Sequence, residues 1–133
     1  MNKRPLTITV IGWIYVAVGT ISLVVHMLPL FEGAAAAPGA ESAAGRPLDP
    51  VVASGSAILA LVGGAFLLRG RNWARWLCVA WMGFHVVLSL VHSTLELVIH
   101  GLLFAAVLLL LWRPGATAYF RIAGRAALVK RES

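Results

Sequence analysis

Four histidines, His26, His85, His92 and His100, carry most of the chemistry that this 133-residue chain could perform. Neutral imidazole is a ligand for haem iron and for divalent metals, and it gains and loses a proton near neutral pH. A cluster of such rings therefore suits either a ligand site or a proton path. The other side chains add little. There is one cysteine, Cys78, and so no disulfide framework and no redox pair. The sequence holds no Walker loop, Rossmann glycine fingerprint, zinc-type cysteine spacing, G-x-S-x-G turn or paired carboxylates. Kinase and hydrolase chemistry have no support in it.

The elements that must position these rings follow from composition. Sixty per cent of the residues are hydrophobic and 12% are charged, with a mean hydropathy of +0.88. A soluble domain is typically near half apolar and a quarter charged. So few charges cannot coat a small domain, and such high hydrophobicity excludes a disordered chain. Four stretches carry no Asp, Glu, Lys or Arg: Pro5–Phe31, Pro50–Leu68, Trp76–Leu95 and Leu97–Trp112. A helix needs roughly 20 residues to cross a bilayer core about 30 Å thick. The expectation is an all-α integral membrane four-helix bundle forming one domain. Its spans fall near residues 5–31, 50–69, 73–92 and 94–112, joined by an outer loop 32–49 and followed by a tail 113–133.

Local chemistry marks the ends. Pro5 suits a first helical position, and Asp49-Pro50 reads as an N-cap followed by proline at the first helical position. Gly70 fits a left-handed helix stop and Asn72 a cap for the third helix. Arg113-Pro114-Gly115 stops the fourth. From Trp73 to Trp112 no Gly-Pro or polar cluster intervenes, yet one helix of that length would be about twice the hydrocarbon thickness. Ser93-Thr94-Leu95-Glu96 has the form of a capping box, with Ser93 as cap and Glu96 three residues on. The turn is expected there.

Charge orients the spans. With the N-terminus inside, ten bases and one acid (Glu132) fall on the cytoplasmic side: Lys3, Arg4, Arg69, Arg71, Arg75, Arg113, Arg121, Arg125, Lys130 and Arg131. The outer side receives Arg46 with Glu32, Glu41, Asp49 and Glu96. Lys and Arg in short loops stay inside, so both termini are expected to be cytoplasmic. Trp73, Trp76 and Trp112 fall at the same inner boundary, where indole rings prefer to sit. Together with Arg69, Arg71, Arg75 and Arg113 they read as topology and lipid anchors. Trp13, Tyr15 and Trp81 lie deeper and read as packing residues. The pI near 10.8 would suit nucleic acid. Topology already explains nearly every base, so a lipid bilayer is the expected partner and nucleic acid is not. The first apolar run is too long for a signal h-region of roughly 7–15 residues, so it reads as a retained span. The Ala-, Gly- and Pro-rich loop 32–49 reads as a flexible crossover. The tail, with Arg121 and Arg125 four apart, reads as a short interfacial helix or a frayed basic segment.

Small residues recur where helices could approach closely: Gly12 and Gly19, then Ser56, Ala60 and Gly64, then Gly101 and Ala105. They suit a compact bundle or a homo-oligomer interface. In that frame all four histidines fall in the outer half. His85, Ser89 and His92 share one face of the third helix, and His85 and His100 could face each other across an antiparallel hairpin. Three readings follow. The simplest is that each ring makes an interhelical hydrogen bond or sits at headgroup level. The sharper one is a cofactor site: haem iron held by His85 and His100, or a divalent metal that adds His92 and His26. The third is proton handling or small-molecule transport, with Glu96 in the relay.

Four strings carry a resemblance: Gly70-Arg71-Asn72-Trp73-Ala74-Arg75-Trp76, Phe84-His85-Val86-Val87-Leu88-Ser89, Val98-Ile99-His100-Gly101-Leu102-Leu103-Phe104, and Arg113-Pro114-Gly115-Ala116-Thr117-Ala118-Tyr119-Phe120. Over about the C-terminal half the chain resembles small bacterial four-span membrane proteins of uncharacterised activity. That resemblance implies an inner-membrane location and no activity. By size the chain is also similar to small multidrug transporters, but that family keeps a carboxylate inside its first helix and Pro5–Phe31 has none. The expected function is therefore a small multi-pass membrane protein, an accessory or scaffold subunit of a larger complex or a homo-oligomer. A histidine-centred binding or redox site is the alternative.

Overall fold

The computed structural model describes residues 4–31 and 50–132. They form five helices: α1 (Leu6–Phe31), α2 (Pro50–Leu68), α3 (Asn72–Ser89), α4 (Thr94–Leu111) and α5 (Pro114–Glu132). Among the described residues there is no strand. The fold is all-α. Two of its helices, over Leu6–Leu28 and Thr94–Leu111, are long and apolar enough to cross a membrane, and the apolar part of α2, Val52–Leu68, is shorter. The expected crossover 32–49, its cap Asp49 and the N-terminal Lys3 lie outside the described residues.

Among the described residues the seam between α1 and α2 is the most extensive helix pairing. It is built on the small residues. A Cβ on Gly64 would lie 2.7 Å from the Gly12 carbonyl oxygen and 2.9 Å from Tyr15 Cβ. One on Gly19 would lie 2.8 Å from the Ala57 carbonyl oxygen. Only hydrogen fits at these points, so the two backbones meet directly. Gly101 behaves otherwise: nothing approaches the position of its missing Cβ within 4 Å, and Ala105 is exposed. That small pair faces out of the bundle.

Helix ends follow local chemistry, with three differences from the sequence reading. α2 closes in a Schellman motif: Gly70 takes φ 71°, its N–H reaches Leu67 O at 3.0 Å, and Arg71 N–H reaches Phe66 O at 3.0 Å. Ser93 caps α4 by accepting from Glu96 N–H at 3.2 Å. Among the described residues the Glu96 carboxylate makes no return bond, so the box is half formed. The first difference is Asn72. It is the first residue of α3 rather than its cap, the cap being Arg71 with no side-chain bond. Asn72 Oδ1 instead accepts from Arg75 Nη1 at 3.2 Å. The second is that α3 stops at Ser89, three residues early. Leu90, Val91 and His92 form a turn with tighter bonds to residues three back. The third is the tail. α4 does stop before Pro114, as expected, but the tail is a 19-residue helix, α5, rather than a short or frayed segment, and Pro114 begins it, where proline's missing N–H is harmless.

α5 docks on the Gly70 end of the bundle. Ala116 and Phe120, one turn apart, are both buried there with Leu67, Ala74 and Leu111. Burying a phenylalanine removes apolar surface worth about 1.5–3 kcal/mol against water. The dry core is concentrated at this end. α1 and α4 make few direct contacts, and a cavity lies between them.

Candidate site: a histidine-capped cavity

The cavity has a volume of about 450 Å³ and is walled by α1, α2, α3 and α4. Its walls near the Gly70 end are Val10, Ile11, Ile14, Val107 and Leu110. Its polar groups gather toward the other end: Ser22 and His26 on α1, Ser56 on α2, His85 on α3 and His100 on α4. The packing of Gly19 on Ala57 sets Ser22 and His26 at, and just beyond, the level of Ser56.

Two small networks hold these side chains. In the first, Trp81 Nε1 donates to Ser56 O at 2.8 Å and to Ser56 Oγ at 2.9 Å. The Ser56 hydroxyl also meets His85 Nε2 at 3.3 Å, a bond that either tautomer of the ring can make. The Trp81 ring packs edge-on against His85 at 4.3 Å and against Tyr15 at 5.2 Å, between ring centroids. Tyr15 in turn donates its hydroxyl to Cys78 O at 2.9 Å. In the second network, Ser89 Oγ donates to His85 O at 2.7 Å. Ser89 can then accept from His100 Nδ1 at 2.9 Å, and Glu96 O lies at 2.9 Å from the same nitrogen. Ser89 is 3% exposed, so these bonds answer its burial.

The sequence paired His85 with His100, and the structure brings them together. Their rings lie 14° from parallel with centroids 5.8 Å apart. His26 lines the same cavity from α1. His92 does not: it sits exposed in the turn after α3, with Nδ1 donating to Leu88 O at 2.8 Å. Because α3 ends at Ser89, the face expected to carry His85, Ser89 and His92 is broken before its last member. Among the described residues no three His, Cys, Asp or Glu side chains converge as metal ligands. Bonding of His85 Nε2 to an iron would have to displace Ser56 from it.

Ser56 is the residue that sequence reasoning misjudged. It reads as one small residue in a packing stripe. In place it joins Trp81 to His85, and the available signal was a hydroxyl at the depth of an indole and an imidazole.

Arg75 also departs from expectation. The sequence groups it with Arg69, Arg71 and Arg113 as an expected anchor; those three are exposed, as are Trp73, Trp76 and Trp112. Arg75 is 5% exposed and turns inward. Its Nη2 donates to Leu111 O at 2.7 Å, and its guanidinium lies over the Trp112 ring at 4.4 Å and the Phe120 ring at 5.0 Å. A cation there answers the open carbonyls at the C-terminus of α4. Trp13, expected to pack inside, is 60% exposed on the outer surface of α1.

Compared with protein families, with curated proteins and with solved structures, the chain has no match.

Proposed function

We propose that this chain is a four-span protein of the bacterial inner membrane, with both ends cytoplasmic, that binds a small apolar molecule from the bilayer inside its bundle. The observation that carries the reading is the cavity, apolar along most of its length and edged at one end by two serines and three histidines. Binding pockets for small molecules have this make-up: largely hydrophobic walls with a few polar groups that fix orientation. Polar side chains at membrane depth are costly unless they face an interior or a ligand.

The topology rests on charge and on the helix ends. The Gly70 end carries exposed Arg69, Arg71 and Arg113, and α5 adds exposed Arg121 and Arg125. With α2 and α3 joined there by a tight turn, positive-inside sorting puts that end in the cytoplasm. Reporter fusions at residues 40, 71 and 133 test it. Signals from 71 and 133 on one face and from 40 on the other are expected, and 71 and 133 on opposite faces would overturn the arrangement.

Extraction in mild detergent followed by native mass spectrometry tests the binding role. A lipid-soluble passenger should accompany the chain and be lost in Ala57→Phe, which fills the cavity from α2. An unchanged passenger in that variant would refute the reading. An absorption spectrum and elemental analysis of the same sample read out haem and metal directly. A scaffold or subunit role is the second reading, favoured by one feature: the open Gly101 face of α4 and the exposed Leu102 and Leu109 beside it. It predicts a co-purifying partner or a homo-oligomer, and a clean monomer counts against it.

A further inference from the structure

We infer that the cavity takes a ligand whose head is a hydroxyl group, such as an alkylphenol or a quinol, with its apolar body lying toward the Gly70 end. This deepens the binding role proposed above and depends on it. The argument is one of hydrogen-bond direction. His26 Nδ1 lies 2.6 Å from Ser22 O, and His100 Nδ1 lies 2.9 Å from Glu96 O. A carbonyl oxygen only accepts, so in each neutral ring the hydrogen sits on Nδ1. Nε2, on the far side of the ring from its own helix, is then a bare lone pair. Among the described residues neither Nε2 has a hydrogen-bond partner, and both rings line the cavity. His85 does not compete, since its Nε2 already faces the Ser56 hydroxyl. His26 and His100 therefore each bring one acceptor nitrogen to the polar end of the cavity. A hydroxyl head can donate its one hydrogen to either of them. A carbonyl or ether head sets lone pair against lone pair and leaves the imidazole unpaired, a penalty of the kind that gives binding sites their sharpest discrimination. A metal ion would also bond to lone pairs, but no third ligand converges on these and the remaining walls are apolar.

The test uses a matched pair of probes on the wild-type chain in mild detergent: a para-alkylphenol and its methyl ether, which differ only in the hydroxyl hydrogen. Equilibrium dialysis measures both. The phenol should bind at least tenfold more tightly. In the double variant His26→Leu, His100→Leu the two probes should bind alike. Equal binding to the wild type would overturn the inference while leaving the cavity as a binding site. Failure of both probes to bind would remove the binding role itself, and the inference with it. A phenol preference that persists in the double variant would overturn the assignment to these two nitrogens.

Discussion

Ser89 Oγ stands between His85 and His100, donating to the carbonyl of the first and accepting from the ring of the second. This one hydroxyl joins α3 to α4 just before α3 ends. It also leaves the two imidazoles nearly parallel at a centroid separation of 5.8 Å. Removing it takes away both bonds without opening much space. Ser89→Ala should therefore lower stability by about 0.5–1.5 kcal/mol, the usual net scale for a hydrogen bond. Unfolding in a mixed-detergent titration reads this. His100 keeps its bond to Glu96 O, so the preference for the phenol probe over its ether should survive. Loss of that preference in Ser89→Ala would show that Ser89, not the Glu96 carbonyl, sets the ring's tautomer.

The two faces of small residues should respond oppositely to one added methyl group. At Gly64 a Cβ would come within 2.7 Å of backbone, and neither helix can yield without parting from the other. Gly64→Ala is expected to destabilise by about 1–3 kcal/mol, the range for overpacked interiors. At Gly101 a Cβ meets nothing within the chain. Gly101→Ala should be neutral or stabilising by up to about 1 kcal/mol through helix propensity. A stability loss at Gly101 matching that at Gly64 would mean that a second chain covers the α4 face, and a concentration-dependent unfolding midpoint would confirm it.

Gly70 tests the turn between α2 and α3. Its φ of 71° is open to glycine and strained for other residues. An added Cβ would also lie 3.0 Å from Ala123 Cβ and from the Tyr119 hydroxyl on α5. Gly70→Ala should cost about 1–2 kcal/mol from backbone strain alone, with the α5 contact adding to it. Thermal unfolding of Gly70→Ala against Gly70→Asn separates the two, because asparagine tolerates the left-handed region but is larger. If Asn is the worse of the pair, crowding against α5 dominates.

What the sequence made legible is local or pairwise. Ser93 and Gly70 mark helix ends because capping needs only neighbours a few residues away. Gly12, Gly19 and Gly64 mark the α1–α2 seam because close backbone approach leaves no other residue type possible. The pairing of His85 with His100 followed from depth in an antiparallel hairpin. The cavity was not legible, because it is the space left between α1 and α4 when the four helices pack, and no residue type encodes that gap. The early stop of α3 was equally hidden: Leu90 and Val91 have no helix-breaking character, and the turn is set by where Ser93 begins the next helix. Arg75 was misread for a related reason. A cation near an interface is ordinarily solvated, and only the placement of α5 shows that this one is covered.

Arg75 supplies the last prediction. Its guanidinium holds three elements at once: Asn72 on its own helix, the Leu111 carbonyl at the end of α4, and the Trp112 and Phe120 rings on either side of the break before α5. Hydrogen bonds from a charged donor contribute about 1.5–3 kcal/mol each to stability. Arg75→Met keeps the bulk and removes the bonds. It should loosen α5 more than the four-helix body, because Phe120 loses the cation over its ring while the α1–α2 seam is untouched. Limited trypsin digestion reads this: cleavage at Arg121 and Arg125, exposed on α5, should accelerate in Arg75→Met with little change in the unfolding midpoint of the remainder. Arg75→Lys should not restore protection, since an ammonium cannot serve Asn72 and Leu111 together while lying flat on an indole. If Arg75→Lys protects as well as arginine does, charge alone anchors α5 and the planar fork is incidental.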